Sequence, residues 1–421
     1  MRRSSTEKAA AFVFLLCAVS TSHAAEEHSG PYWPSFHGPN RDNISPDTGL
    51  LTKWPEGGPV LVWKFGECGQ GYSCVTLADG MIFTAGDVDD DELIVALTLE
   101  GKLVWKAPNG ESWTGSYPGS RTTPTYDDGM LYHMGPTGRL AAFDAKSGKE
   151  KWAVDLKATF DARHGTWAFA ENVIVHRDRV FCVPGGTRGM VVALRKRSGR
   201  PVWVNTDLDE RAGYCSPIIV KHKSGRQLIT LTQKSVIGVD IKKGRLMWKH
   251  PHVAAHDQNV TTPIYCDGYV FVASGHEAGG KLLKIGRKRG RVEEIWCDKS
   301  LDNCHGGVIL LDGRLYGSGC KAGGKSFFCA EFLTGKVLRS DKGIRKLSLT
   351  CADGMLYGVT ERGKVYLIAP RPDGFEVVSE FSLPRENRGY LFAHPVVCGG
   401  RLYIRYGENL YVYNVRAGEE Q

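Results

Sequence analysis

The sequence predicts an all-β fold, an eight-bladed β-propeller, on three observations. A hairpin segment that ends in tryptophan, as in residues 138–152 (GRLAAFDAKSGKEKW), recurs about every 45 residues. Each repeat has room for four short strands separated by turn signals, which is typical of a propeller blade. The last repeat has only three strands, and a lone strand near the start of the chain supplies the fourth.

The turns within each repeat follow from their residue types. In the recurring hairpin, Asp144 can accept backbone N–H groups across the turn, and Gly148 provides the positive φ that such loops need. The turn between the first and second strands is usually Asp-Gly, at Asp79, Asp128, Asp267, Asp312 and Asp353. These dipeptides predict tight antiparallel hairpins.

A large residue on the fourth strand of each repeat, usually tryptophan, is predicted to pack between blades. Burial of a tryptophan here contributes a few kcal/mol to folding (about 2–3), so these residues are interpreted as structural rather than as a cofactor site. Arg339 and Phe381 fill the same position in two later repeats. The predicted docking tryptophans are Trp63, Trp105, Trp152, Trp203, Trp248 and Trp296.

The two ends of the chain are predicted to close the ring. The strand Leu61–Phe65 should pair with the last repeat, His394–Val415, so that no sheet edge stays open. The expected organisation is a signal peptide at 1–24, an extended lead-in rich in Gly, Pro, Asn and Asp at 25–60, the propeller at 61–415 and a short tail at 416–421.

The N-terminus and the charge pattern indicate an exported protein. Arg2, Arg3 and Lys8 precede the apolar run 9–19, and the small residues at 22–24 resemble a cleavage site. We therefore expect a periplasmic or extracellular monomer without a membrane span. The net charge of +8 comes from Lys and Arg interspersed with Asp and Glu, which argues against nucleic-acid binding.

Twelve cysteines are present, and the signal peptide would remove Cys17. Several lie within predicted strands, which favours buried thiols over a disulfide framework. The pairing cannot be deduced from sequence. The bridge candidates are Cys68 with Cys74, Cys297 with Cys304, and Cys320 with Cys329.

The pattern A-x-D-x-x-[ST]-G-K-x-x-W at residues 142–152 resembles the docking motif of the pyrroloquinoline quinone (PQQ) repeat family, and the similarity extends over about 33–415. The resemblance implies an eight-bladed propeller. The family includes quinone-dependent alcohol and sugar dehydrogenases and also non-catalytic scaffolds such as the outer-membrane assembly lipoprotein. Its repeat is therefore evidence of fold more than of chemistry.

A dehydrogenase of this family implies PQQ with Ca²⁺ as a possible cofactor set, but the sequence assigns no catalytic residue. The adjacent Cys-Cys pair of the quinone-dependent alcohol dehydrogenases is absent from the sequence. Asp257, Asn259 and Glu171 could supply oxygen ligands for Ca²⁺, although their spacing does not select them.

The loops that enter the first strand of each blade should gather at one mouth of the central channel. Turn formation alone would explain their Gly, Pro, Ser and Asn content. Their larger polar and aromatic side chains indicate a funnel that binds an anionic or polyhydroxy ligand. Four of the loop histidines come from separate blades without ligand spacing, so no metal site is predicted. The predicted funnel residues are Tyr72, Arg121, His164, Trp167, Tyr214, Asn259, His305, Lys346 and His394.

The sequence therefore predicts a non-catalytic binding or assembly module that recognises a small polar or anionic ligand, or a protein or glycan partner, through this funnel. The alternative is a PQQ-dependent oxidoreductase that acts on alcohols or sugars.

Overall fold

The computed structural model describes residues 30–276, 278–288, 290–320, 326–384 and 389–418. The predicted signal peptide and the end of the tail lie outside these ranges. The described chain forms eight sheets, one per blade, each of four antiparallel strands, and one of them gains a fifth strand in parallel. The eight-bladed propeller is confirmed.

The strands follow the predicted order around the ring. The lead-in contributes β1 (Ile44–Ser45), and the propeller begins with β2 (Leu61–Phe65). The first four blades are β3 (Thr76–Ala78), β4 (Met81–Val88), β5 (Asp91–Thr98) and β6 (Leu103–Glu111); β7 (Thr125–Asp127), β8 (Met130–Met134), β9 (Arg139–Asp144) and β10 (Glu150–Asp155); β11 (Ile174–His176), β12 (Arg179–Cys182), β13 (Val191–Arg195) and β14 (Pro201–Asn205); and β15 (Ile218–His222), β16 (Gly225–Leu231), β17 (Ser235–Asp240) and β18 (Leu246–Pro251).

The remaining blades repeat this plan. Two short helical segments lie between blades: α1 (Leu156–Phe160) and a 3-10 turn at Ala255–Asp257. Blades 5 to 8 are β19 (Ile264–Cys266), β20 (Tyr269–Ser274), β21 (Gly279–Ile285) and β22 (Val292–Asp298); β23 (Val308–Leu311), β24 (Arg314–Ser318), β25 (Ser326–Glu331) and β26 (Val337–Arg345); β27 (Leu347–Ala352), β28 (Met355–Thr360), β29 (Lys364–Arg371) and β30 (Gly374–Ser382); and β31 (Val396–Cys398), β32 (Arg401–Tyr406) and β33 (Asn409–Asn414) with β2.

Ring closure occurs as predicted. Strand β2 pairs antiparallel with β33, with Trp63 opposite Val412 and Phe65 opposite Leu410. The first and last parts of the propeller thus share one sheet. The predicted Asp-Gly turns also form. Each aspartate has φ between 46° and 52° and is followed by a glycine at positive φ, the conformation that a type I′ turn requires.

Neighbouring blades pack face to face through apolar clusters and docking tryptophans. Between blades 2 and 3, for example, Leu140 and Ala142 pack with Val180 and Val192. Five of the six predicted tryptophans donate their indole N–H to a backbone carbonyl in the next blade; the Trp152 bond to the Lys196 carbonyl is 2.9 Å long. Trp248 differs, because its indole donates to Gln227 within its own blade.

The lead-in crosses the centre of the ring. Arg41 is buried and donates to the carbonyls of Asn172 (2.7 Å) and Val173 (3.0 Å), which precede blade 3. Two residues later, Asn43 donates to the Leu349 carbonyl in blade 7, on the opposite side. Strand β1 then adds to blade 7 in parallel with β27. The lead-in is therefore a plug that ties opposite blades together, a role that its composition did not predict.

All three bridge candidates are wrong. The disulfide joins Cys304 to Cys320, while Cys68 and Cys74 are buried free thiols. Cys297 lies exposed on the outer strand β22, and Cys329 is buried in the core between blades 6 and 7. Because Cys297 and Cys329 lie on these strands, neither pairs with the cysteine predicted for it.

Among the described residues, the structure has no helix that is both long and apolar enough to cross a membrane.

Candidate functional site

A cavity of about 700 Å³ opens at one mouth of the channel. All eight loops that enter the first strands of the blades contribute to its wall, as the propeller topology predicts. Phe36 and His37 of the plug also line the cavity, and we call this part of its wall the floor. Seven predicted funnel residues line it: Tyr72, Arg121, Trp167, Tyr214, His305, Lys346 and His394.

The other two predicted funnel residues do not line this cavity. Asn259 is fully buried, and its amide donates to the carbonyls of Thr232 (2.7 Å), Gln233 (3.2 Å) and His252 (3.0 Å). His164 packs its ring edge-to-face against Trp113, 5.6 Å between centroids. These side chains shape the loops behind the wall.

Arg121 is the cation on one side of the cavity. Its guanidinium lies 5.9 Å from the Tyr72 ring and 5.6 Å from the Trp113 ring. It donates to the backbone carbonyls of Gly119, Ser116 and Tyr117 at 2.6 to 2.8 Å, which fixes its position. Burial lowers the pKa of Arg121 to about 10, so the group stays charged at neutral pH.

A second cation lies elsewhere on the wall, in an ion pair. Lys346 Nζ lies 2.8 Å from Glu361 Oε1, and both side chains are mostly buried. His305 Nε2 is 3.8 Å from the same carboxylate oxygen and makes no hydrogen bond within the described chain. Burial lowers the pKa of His305 to about 3, so its imidazole is neutral.

His394 is held by the floor. Its Nε2 lies 2.7 Å from the His305 carbonyl, which can only accept, so Nε2 carries the proton. Its Nδ1 lies farther from a carbonyl, 3.3 Å from that of Leu349, and accepts instead from His37 Nε2 at 3.2 Å and Asn43 Nδ2 at 3.3 Å. Burial lowers the pKa of His394 to about 4. Both ring nitrogens therefore contact protein groups.

Aromatic rings cover much of the remaining wall. Trp167 packs against Tyr214 at 5.8 Å between centroids, and Tyr390 stacks on Phe392 at 5.5 Å with 11° between planes. Tyr117 contacts both rings of this stack. Phe36, Tyr117, Tyr390 and Phe392 were missed by sequence reasoning; three precede a strand by several residues, and Phe36 belongs to the plug.

The oxygen ligands suggested for Ca²⁺ do not form a common site. Glu171 is buried and accepts from the Val183 N–H, and burial raises its pKa to about 8. Asp257 accepts from Gln233. The side-chain oxygen of Asn259 accepts from Ser274 at 2.7 Å. Glu171, Asp257 and Asn259 all lie outside the cavity lining.

Comparison with known proteins places this geometry among PQQ-repeat propellers. A family model described as outer membrane protein assembly factor BamB matches residues 89–341, more than half of the chain. The quinoprotein alcohol dehydrogenase PedH of Pseudomonas putida is 32% identical over 40% of this chain and 29% of its own length. BamB of Escherichia coli is 24% identical over 48% of this chain and 47% of its own. The chain thus spans less than half the length of each of these curated relatives.

Solved structures share the fold at low sequence identity. BamB from Moraxella catarrhalis superposes with a TM-score of 0.61 at 17% identity, covering 85% of this chain and 99% of that one. A europium-containing methanol dehydrogenase gives a TM-score of 0.66 at 12% identity, covering 90% and 91%. These matches include a dehydrogenase and an assembly factor, so they show the propeller and leave its activity open.

Proposed function

Because this chain belongs to the PQQ-repeat family whose model is described as outer membrane protein assembly factor BamB, we propose that it is an exported, non-catalytic binding module. Its ligand is a small anionic molecule with a flat aromatic or polyhydroxy body, and it binds in the cavity at the channel mouth. The family alone does not select this ligand. The argument comes from the charges and rings of the cavity wall.

Arg121 carries the proposal. Its guanidinium faces the cavity, and no ion pair joins it to a carboxylate within the described chain. The carbonyls that hold it are neutral, so they orient the group without cancelling its charge. Three of the five N–H donors of Arg121 go to these carbonyls, so its positive charge and two remaining N–H donors can serve a carboxylate or phosphate.

The rest of the wall suits a ligand with a flat body. Trp167, Tyr214, Tyr390 and Phe392 offer ring faces and edges, which favour stacking on an aromatic or pyranose ring. His305 Nε2 adds a neutral polar group close to Glu361. Lys346 offers a second positive charge that a ligand anion would share with Glu361.

The alternative function, a PQQ-dependent oxidoreductase, has two observations in its favour. The cavity combines a cation with aromatic rings, which suits a tricarboxylate quinone, and quinoprotein dehydrogenases are among the matched relatives. The donor set does not fit the Ca²⁺ of such enzymes. Of the described lining residues, Glu361 alone carries a carboxylate, and it is paired with Lys346. We therefore derive no redox step.

Calorimetric titration with benzene-1,3,5-tricarboxylate tests the proposal, with glucose as an uncharged probe. We expect saturable binding of the tricarboxylate that weakens with ionic strength. Arg121→Gln should weaken it about tenfold or more, since hydrogen bonds to charged groups contribute about 1.5–3 kcal/mol. Arg121→Lys should retain part of the affinity. Arg371→Gln, on an exposed arginine paired with Glu376, is the matched control.

Equal affinity in the wild type and Arg121→Gln, with unchanged thermal unfolding, would contradict the anion site. Binding of glucose alone would favour a neutral polyhydroxy ligand. If neither probe binds, the cavity is not a small-molecule site, and protein or glycan partners become the better explanation.

A further inference from the structure

We propose that the Cys304–Cys320 disulfide masks a zinc site: once it is reduced, Cys304, Cys320 and His276 bind Zn²⁺ at the cavity wall. This inference does not depend on the anion site at Arg121, because it uses different residues. It assigns the cavity a second ligand, a thiophilic divalent cation, whose binding is controlled by a dithiol reductant.

The three side chains already converge. The ligand atoms of His276, Cys304 and Cys320 all lie within 4.8 Å of one another, and all three residues line the cavity. They come from three separate segments. Cys304 lies in the loop that enters β23, Cys320 follows β24, and His276 follows β20. Their convergence is therefore a product of the tertiary fold.

Local backbone geometry brings the histidine loop against the sulfurs. A Cβ on Gly275 would lie 2.5 Å from Cys304 Sγ and 2.9 Å from Cys320 Sγ, so only glycine allows this approach. The next residue, His276, has φ of 53°, a left-handed conformation that is uncommon for a residue other than glycine. The turn thus holds an imidazole beside the two sulfurs.

Two sulfurs and one imidazole match the soft-ligand preference of Zn²⁺ and leave a fourth position for another ligand. His256 lies close to this group, with its ring centroid 5.4 Å from that of His276. A three-residue zinc site with an open position binds a water molecule or a small ligand, whereas a four-residue site is structural. Cys304, Cys320 and His276 alone give the three-residue site. With His256 as a fourth ligand, they give the four-residue site.

The redox and proton balance is simple. A dithiol breaks the Sγ–Sγ bond by exchange, becomes a cyclic disulfide itself, and leaves two protonated cysteines. Binding of Zn²⁺ then replaces the two thiol protons, which are released to solvent. The disulfide form has no thiolate to offer, so it should not bind the metal in this way.

Cobalt(II) is the first probe, since its bonds to thiolate produce a near-ultraviolet charge-transfer band. The mature protein is titrated before and after reduction, and Zn²⁺ is then added to displace Co²⁺. We expect the band only in the reduced protein, with about two protons released per ion. Cys304→Ser and Cys320→Ser should abolish it. Cys297→Ser, at an exposed free thiol, is the matched control and should leave it intact.

A second variant keeps the test valid if the cysteine variants fail to fold. His276→Asn leaves the disulfide in place and suits a left-handed backbone. After reduction it should bind Zn²⁺ more than tenfold more weakly than the wild type, the loss typical of even an outer-shell change. Zn²⁺ should also slow alkylation of Cys304 and Cys320 but not of Cys297.

The proposal is overturned if the reduced, folded wild type binds Co²⁺ no better than the oxidised protein. It is also overturned if His276→Asn retains full Zn²⁺ affinity, or if Zn²⁺ fails to protect Cys304 and Cys320 from alkylation.

Discussion

His37 of the plug and His394 of the last blade face each other across the cavity floor, with His37 Nε2 3.2 Å from His394 Nδ1. The two residues are separated by most of the chain, and each is at most 7% exposed. Because His394 uses its other nitrogen on the His305 carbonyl, the pair joins the lead-in to the wall of the cavity. The floor is therefore joined by hydrogen bonds both to the plug and to the loop that carries His305.

This floor should make stability depend on pH. Burial lowers the pKa of His394 to about 4 from 6.5, so between these values the unfolded chain binds the proton more readily. Stability from this group is complete above about pH 6.5 and is lost as pH falls towards 4. From pH 7 to pH 5, we expect the wild type to lose about 2 kcal/mol more free energy of unfolding than His394→Gln.

Urea denaturation at the two pH values measures this difference. Burial also lowers the pKa values of His37 and His305 and raises that of Glu171. These residues are present in both proteins, so their contributions to the pH dependence largely cancel in the comparison. His222→Gln, at a partly exposed histidine outside the cavity, should give a smaller difference. An identical pH response in the wild type and His394→Gln would contradict a neutral, buried His394.

Trp152 should contribute to stability but not to binding. Its indole donates to Lys196 and packs against Gly199 of the next blade, where an added Cβ would lie 2.7 Å from the ring. Trp152→Ala should lower the free energy of unfolding by about 3 kcal/mol. Tricarboxylate affinity at low temperature should stay within about twofold of the wild type. Loss of binding at unchanged stability would contradict the docking role.

Asn259 should also behave as a structural residue. Its amide holds three carbonyls and its oxygen accepts from Ser274 at 2.7 Å. Asn259→Ala should therefore cost about 3 kcal/mol, because these buried groups lose their partner. Thermal unfolding measures the loss, and calorimetry at low temperature should show nearly normal ligand affinity. A stable variant that no longer binds would instead make Asn259 a ligand-binding residue.

Glu361 should oppose binding of anions. Its carboxylate neutralises Lys346 and adds negative charge to the cavity wall. Glu361→Gln should raise the affinity for benzene-1,3,5-tricarboxylate several-fold, about 3- to 10-fold, because Lys346 is then free to pair with the ligand. Glu376→Gln, at an exposed carboxylate paired with Arg371, should have no effect. An unchanged or weaker affinity in Glu361→Gln would exclude Lys346 from the anion site.

The fold could be predicted because its signals are local and repeated. The Asp-Gly turns, the docking tryptophans and the missing fourth strand of the last blade each need only a few neighbouring residues to be recognised. Trp248 is the exception among the tryptophans, since its partner, Gln227, lies in its own blade. The hairpin pattern does not distinguish these two kinds of contact.

The site was only partly predictable because it depends on long-range contacts. The entry loops indicated which segments meet, but not which side chains turn inward, so Asn259 and His164 were included although they lie behind the wall. The plug has no periodicity, and its residues Phe36, His37 and Arg41 gave no signal of their role. Cys304 and Cys320 meet only because the loop before β23 and the residue pair just after β24 lie at the same cavity wall.

The most direct test of the anion-binding account is a titration of residues 25–421 with PQQ, with and without Ca²⁺. Tryptophan fluorescence and thermal unfolding are followed together for the wild type and Arg121→Gln. The account predicts saturable binding that is equal in Ca²⁺ and in chelator and about tenfold or more weaker in Arg121→Gln. Binding that requires Ca²⁺ and supports alcohol-dependent dye reduction would contradict it and establish the oxidoreductase instead.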